Sequence, residues 1–140
     1  MLIENYFSRN TIMNINYVGL FGNVFDEKRH VTFAYFKKSD SYEKRVEWFK
    51  KIPESVLYNT YSIQIEEVGK TDFNTALRVE LPEELKPLFY GYIPHITLKV
   101  EKDGKAADSW KCFTKESKAR IPLSGIIDMV FSIRFYGDVC

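Results

Sequence analysis

The chain has 140 residues, 45% of them hydrophobic and 28% charged, a size and make-up that favour one domain built on one core. Twenty basic against 19 acidic residues leave a formal net charge of +1, which excludes a strongly basic nucleic-acid coat and an acidic tail but leaves room for a local basic cleft. Two histidines and two cysteines, in the order His30, His95, Cys112, Cys140, match no zinc-finger spacing, and 7 Gly with 5 Pro exclude a linker-rich or disordered chain.

Residues 1–12 lack a basic stretch followed by an apolar one and so do not read as a secretory signal. Met13 is a candidate second start, which makes 1–12 a candidate extension. Residues 16–21 (Tyr17, Val18, Leu20, Phe21) form a β-favouring run, 25–29 a charged turn and 30–36 a second strand. Asp40 and Glu43 carry a capping-box pattern, after which Tyr42, Val46, Phe49 and Ile52 recur at helical spacing, with Arg45 among the polar residues of the other face, until Pro53 ends the helix. Residues 58–68 and 75–81 read as strands, 82–89 as a helical turn interrupted at Pro87, and 95–100 as a strand entered through Pro94. Residues 106–115 read as a helix turning Trp110 and Phe113 inward, and 121–123 with 126–136 as two closing strands. The longest apolar run, 126–133, is interrupted by Asp128 and falls far short of the roughly 20 residues of a bilayer-spanning helix. The expectation is a cytoplasmic protein without membrane contact, with Cys112 and Cys140 as free thiols; at most they form one disulfide.

The order strand, His-strand, helix, strand occurs twice. The histidines lie 65 residues apart and each precedes its helix by 11 residues. At that offset Val31 aligns with Ile96, Thr32 with Thr97, Phe33 with Leu98 and Trp48 with Phe113. The expected architecture is a single α+β domain over 1–140 with two related lobes, about 13–70 and 71–140. The alternative is coincidental alternation within an ordinary α+β domain.

Both histidines head the same tetrapeptide, His30-Val31-Thr32-Phe33 and His95-Ile96-Thr97-Leu98. A given His is followed by an aliphatic residue and then Thr about 1% of the time by chance, so two of two arise on the order of once in ten thousand. Side chains alternate along a strand, so His30 shares a face with Thr32, and His95 with Thr97 and Lys99. Two imidazoles and two hydroxyls on one cleft suit a phosphodiester. A neutral imidazole takes a proton from the attacking oxygen and a protonated one supplies the leaving oxygen, while the hydroxyls donate to phosphate oxygens. This chemistry calls for no metal and no cofactor; the alternative is two His-Thr pairs that only hydrogen-bond within a sheet. Lys99 is a candidate to hold a phosphate, with a solvated strand lysine as the alternative. Phe36, Tyr90 and Tyr92 are candidates to stack on a base, with core packing as the alternative.

Two His-x-Thr-hydrophobic motifs, one per lobe, resemble the signature of the 2H phosphoesterase superfamily, over about Tyr17 to Tyr136. More narrowly, 17–36 and Pro94-His95-Ile96-Thr97-Leu98 with Gly104-Lys105-Ala106-Ala107-Asp108-Ser109 are similar to the cyclic phosphodiesterase module of fungal and plant tRNA ligases. The resemblance implies a bilobal fold, two pseudo-symmetric antiparallel sheets lining a central cleft with helices outside, and His30, Thr32, His95 and Thr97 as the active site. It implies as substrate a nucleotide phosphodiester, first a 2′,3′-cyclic phosphate at an RNA or nucleotide end. The alternatives are a viral enzyme that degrades cyclic di- or oligonucleotide messengers or 2′-5′ oligoadenylates in the host cytoplasm, and a non-catalytic nucleotide- or RNA-binding module. A monomer is expected. One departure stands out: only about nine residues separate the first strand from His30, where many members of the superfamily place a helix.

Overall fold

A computed structural model describes residues 1–138; Cys140, and with it the pairing of the two cysteines, lies outside the described residues. In chain order the elements are α1 (Arg9–Met13), β1 (Ile15–Val24), β2 (Glu27–Tyr35), α2 (Tyr42–Phe49), β3 (Thr60–Lys70), β4 (Asn74–Glu80), β5 (His95–Val100), a 3₁₀ segment (Ala106–Phe113) and β6 (Ala119–Phe135). The protein is α+β. All six strands join one antiparallel sheet in the order β2-β1-β6-β3-β4-β5, so the strands form one sheet where two were expected.

β6 is what unites the halves. Its first part pairs with β3 from Ala119 to Val130 and its last part with β1 from Val130 to Phe135. Residues 121–123 and 126–136 were expected as two closing strands, yet β6 runs unbroken through Pro122 and Gly125. At Pro122 only β3 lies alongside, and a proline without an N–H is tolerated where one edge is unpaired.

The sheet curls nearly into a barrel. Phe33 on β2 and Phe131 on β6 meet edge to face at 5.1 Å across the intervening β1, and the outer strands β2 and β5 approach one another. The core fills the inner face with Val18, Leu20, Val31, Phe33, Ile63, Leu77, Val79, Ile96, Phe131 and Ile133. α1 and α2 pack on each other where β1 begins and β2 ends. Ile3 and Ile12 are fully buried in the same core, so residues 1–12 are part of the folded body.

Two local features differ from expectation. Ser41, not Asp40, caps α2 by accepting from the Lys44 N–H, while Asp40 accepts from the Lys37 N–H and pairs with Lys44. Arg45, expected on the solvated face, is completely buried. The β1–β2 connection is a two-residue turn, Phe25 and Asp26, both at positive φ (52° and 64°), the geometry that lets a hairpin close without a helix. Among the described residues no helix is long and apolar enough to cross a membrane.

Candidate active site

The two His-x-Thr motifs occupy the two outer strands of the sheet, β2 and β5. In β2, Val31 and Phe33 are buried while His30 and Thr32 are half-buried on the other face; in β5, Ile96 is buried while His95 and Thr97 are half-buried. The register carries this across the sheet. His30 stands opposite Phe21 and Thr32 opposite Gly19 on β1, His95 opposite Arg78 and Thr97 opposite Ala76 on β4. All four motif side chains therefore sit on the face away from the core, as the alternation rule predicts.

Beyond each Thr the rule fails, at the same place in both motifs. Val18 pairs with Ala34 and Gly19 with Thr32, leaving Phe33 as an extra residue; Thr75 pairs with Lys99 and Ala76 with Thr97, leaving Leu98 as an extra residue. Each motif thus ends in a β-bulge on its fourth residue, and a bulge resets which face the following residues take. Phe36 goes to the core, 2% exposed against Trp48 at 6.2 Å, so it is no platform for a base. Tyr35, half-exposed, comes round to the histidine face instead. Lys99 turns away from the Thr97 face and pairs with Glu101 at 3.2 Å. A bulge is set by tertiary pairing, and no residue type in the sequence announces it.

Tyr17, legible in the sequence only as a residue of the first strand, links these groups. Its ring lies 5.4 Å from His30 and 4.9 Å from Tyr35, while Phe21 flanks His30 at 5.6 Å. Opposite each Thr is a small residue, Gly19 or Ala76. At Gly19 a Cβ would meet the Val31 carbonyl oxygen at 2.1 Å, so only glycine fits beside the bulge.

The second motif is held more tightly. His95 Nδ1 lies 2.7 Å from the Ile93 carbonyl, which can only accept, so Nδ1 carries the proton and Nε2 is the atom left for chemistry. Thr97 Oγ1 lies 2.8 Å from Ser109 Oγ, and Asn74 Nδ2 donates to Ser109 Oγ at 3.1 Å and to the Lys105 carbonyl at 2.9 Å. This buried Asn-Ser pair docks the 3₁₀ segment on β4 and β5 and orients the Thr97 hydroxyl. Ser109, Cys112 and Phe113 point inward, whereas Trp110 stays half-exposed and meets Tyr92 edge to face at 5.5 Å. Tyr92 and Tyr90 are both exposed on the segment entering β5, with Tyr90 turned under the Lys51 ammonium at 5.3 Å. Glu67 accepts from Arg120 at 2.8 Å and pairs with Arg78 at 3.4 Å, which holds a guanidinium on the strand beside His95.

A side-chain contact bridges the gap between the two outer strands. Arg29 Nη2 on β2 donates to the Leu98 carbonyl on β5 at 3.2 Å. Both imidazoles are pushed below their ordinary pKa of 6.5, His30 by burial and then by the His95 charge, His95 by burial against the opposing pull of the Ile93 carbonyl. The folded chain therefore refuses protons that the unfolded chain accepts. Each histidine costs stability as the pH falls below about 6.5 and none above it.

No protein-family model matches the chain, and no curated protein matches it.

Proposed function

We propose that the chain is a metal-independent phosphodiesterase whose two His-x-Thr motifs cleave a nucleotide phosphodiester by acid–base chemistry. The observation that carries this reading is the repeated antiparallel strand pair, β1 with β2 and β4 with β5. In both, a half-buried His and Thr face the same way, a small residue stands opposite the Thr, and a bulge falls on the fourth motif residue. In each pair the motif strand is the outer strand of one curled sheet, β2 at one side and β5 at the other, which supports two related halves around a common cleft. β2 and β5 run antiparallel, the Arg29 side chain reaches from one to the other at Leu98, and His30 feels the His95 charge, so both motifs border the same gap.

In this arrangement one neutral imidazole removes a proton from the attacking water or hydroxyl, and the other, protonated, delivers one to the leaving oxygen. His95 acts through Nε2, because Nδ1 is committed to Ile93. Thr32 and Thr97 donate to the non-bridging oxygens as charge gathers on them. When Thr97 donates to phosphate, Ser109 reverses its hydroxyl to donate to Thr97, and Asn74 keeps Ser109 in place. The favoured substrate is a 2′,3′-cyclic phosphate at an RNA or nucleotide end, with cyclic oligonucleotide messengers and 2′-5′ oligoadenylates as the alternatives.

The pH dependence follows from the paired histidines. Catalysis needs the singly protonated pair, and both imidazoles titrate below 6.5. The profile of kcat/KM is therefore expected to be bell-shaped with its maximum on the acid side of pH 6.5, its two limbs belonging to the pair jointly. A rate that rises steadily through pH 8 contradicts a two-histidine mechanism.

A further inference from the structure

Beside His30, the same face of β1 and β6 opens into a cavity of about 460 Å³, within the range of small-ligand sites. Three rows of side chains lead to it across the strands. Thr32 stands opposite Gly19 and Gly19 opposite Ser132; His30 opposite Phe21 and Phe21 opposite Val130; Tyr35 opposite Tyr17 and Tyr17 opposite Arg134. Only the bare backbone of Gly19 separates Thr32 from Ser132, about two strand spacings or roughly 10 Å.

The lining points to an anion. Ser132 is 6% exposed, and its Oγ is buried without a hydrogen-bond partner among the described residues. Arg134 lies over the Phe21 ring at 4.5 Å, and its Nε is likewise buried and unpartnered. Its charge also reaches the Tyr58 hydroxyl, which burial pushes above its ordinary pKa and Arg134 pulls back. Lys28 and Asn23 complete the rim, and among the described residues no carboxylate lines the cavity. A buried hydroxyl and a buried guanidinium N–H without partners cost stability unless a ligand satisfies them. Tyr58, 57% exposed, offers an aromatic surface at the mouth.

We infer that this cavity is a second nucleotide subsite, in which Arg134, Ser132 and Lys28 hold the phosphate of the unit flanking the scissile bond and Tyr58 takes its base. The inference rests on the phosphodiesterase reading and narrows its substrate class to molecules of at least two nucleotides. A mononucleotide fills the histidine cleft and leaves the subsite empty.

The test compares kcat/KM for a 2′,3′-cyclic mononucleotide with that for three larger substrates: a dinucleotide ending in a 2′,3′-cyclic phosphate, a cyclic dinucleotide and a 2′-5′-linked dinucleotide. Arg134→Gln and Ser132→Ala are expected to lower the value for at least one larger substrate about 10-fold or more beyond any loss on the mononucleotide. Lys28→Gln, at an exposed position, gives the same direction if Arg134→Gln fails to fold. Equal losses on small and large substrates overturn the subsite while leaving the phosphodiesterase reading intact. If the wild type cleaves none of them, that reading falls and the subsite is judged by calorimetric binding of adenosine 3′,5′-bisphosphate. Binding weakened about 10-fold by Arg134→Gln supports it, and binding that is absent or unchanged in the variant overturns it.

Discussion

Replacing His95 by alanine is expected to lower kcat by about 10²–10⁴-fold, the contribution of one positioned acid or base, and His30→Ala is expected to do the same. The two losses will not multiply. Each histidine supplies one half of a single proton relay, so the double variant should be little worse than either single one. The geometry adds a distinction between the two. His95 is fixed by its 2.7 Å contact to the Ile93 carbonyl, whereas His30 is placed by the rings of Tyr17 and Phe21. Tyr17→Ala is therefore expected to impair the His30 half through loose placement, with a loss smaller than that of His30→Ala itself. A nucleotide-binding module without catalysis predicts the opposite pattern, with ligand affinity as the only quantity that histidine removal changes. Steady-state kinetics on purified variants, with thermal melts to show that each is folded, separates the two.

The largest effect on stability is expected at Arg45. Its guanidinium donates to the carbonyls of Lys37 at 2.7 Å, Asp40 at 3.3 Å, Ile12 at 3.4 Å and Ile15, and lies over the Phe36 ring at 5.2 Å. One buried side chain thus joins α1, the start of β1, the chain leaving β2 and α2. Arg45→Leu removes the charge but strands several carbonyls in the interior, and breaking a buried polar cluster of this kind costs about 3–5 kcal/mol. That is a large part of the roughly 5–15 kcal/mol that holds a domain together. Arg45→Lys is expected to recover little, because a single ammonium cannot span four acceptors as the planar fork does. Urea unfolding followed by circular dichroism measures this directly. Lys44→Ala on the same helix removes only an exposed pair with Asp40 and should leave the midpoint nearly unmoved. A midpoint equally unmoved in Arg45→Leu contradicts the anchoring role.

The parts legible in the sequence are those governed by local periodicity. β5 begins and ends where alternation places it, and the buried Val31, Phe33 and Ile96 with half-buried His30, Thr32, His95 and Thr97 follow from a period of two. What escaped was set by partners distant in sequence. The bulges at Phe33 and Leu98 arise from pairing with β1 and β4, and they decide that Tyr35 rather than Phe36 faces the site and that Lys99 leaves it. Arg45 looks like a solvated helix residue because its carbonyl partners come from three other segments. Ser109 is recognisable only once β5 brings Thr97 to it. Arg134 and Ser132 lie in an apolar closing strand, and their importance depends on which strand lies alongside.

The central claim is that His30 and His95 together cleave a phosphodiester without a metal. It is tested most directly by incubating the wild type and the His30→Ala/His95→Ala variant in excess EDTA with 2′,3′-cyclic mononucleotides, 2′-5′ oligoadenylate and cyclic dinucleotides, and resolving the products. The predicted result is turnover of at least one substrate by the wild type, undiminished by EDTA and lost in the double variant. Turnover abolished by EDTA, or retained without either histidine, contradicts it.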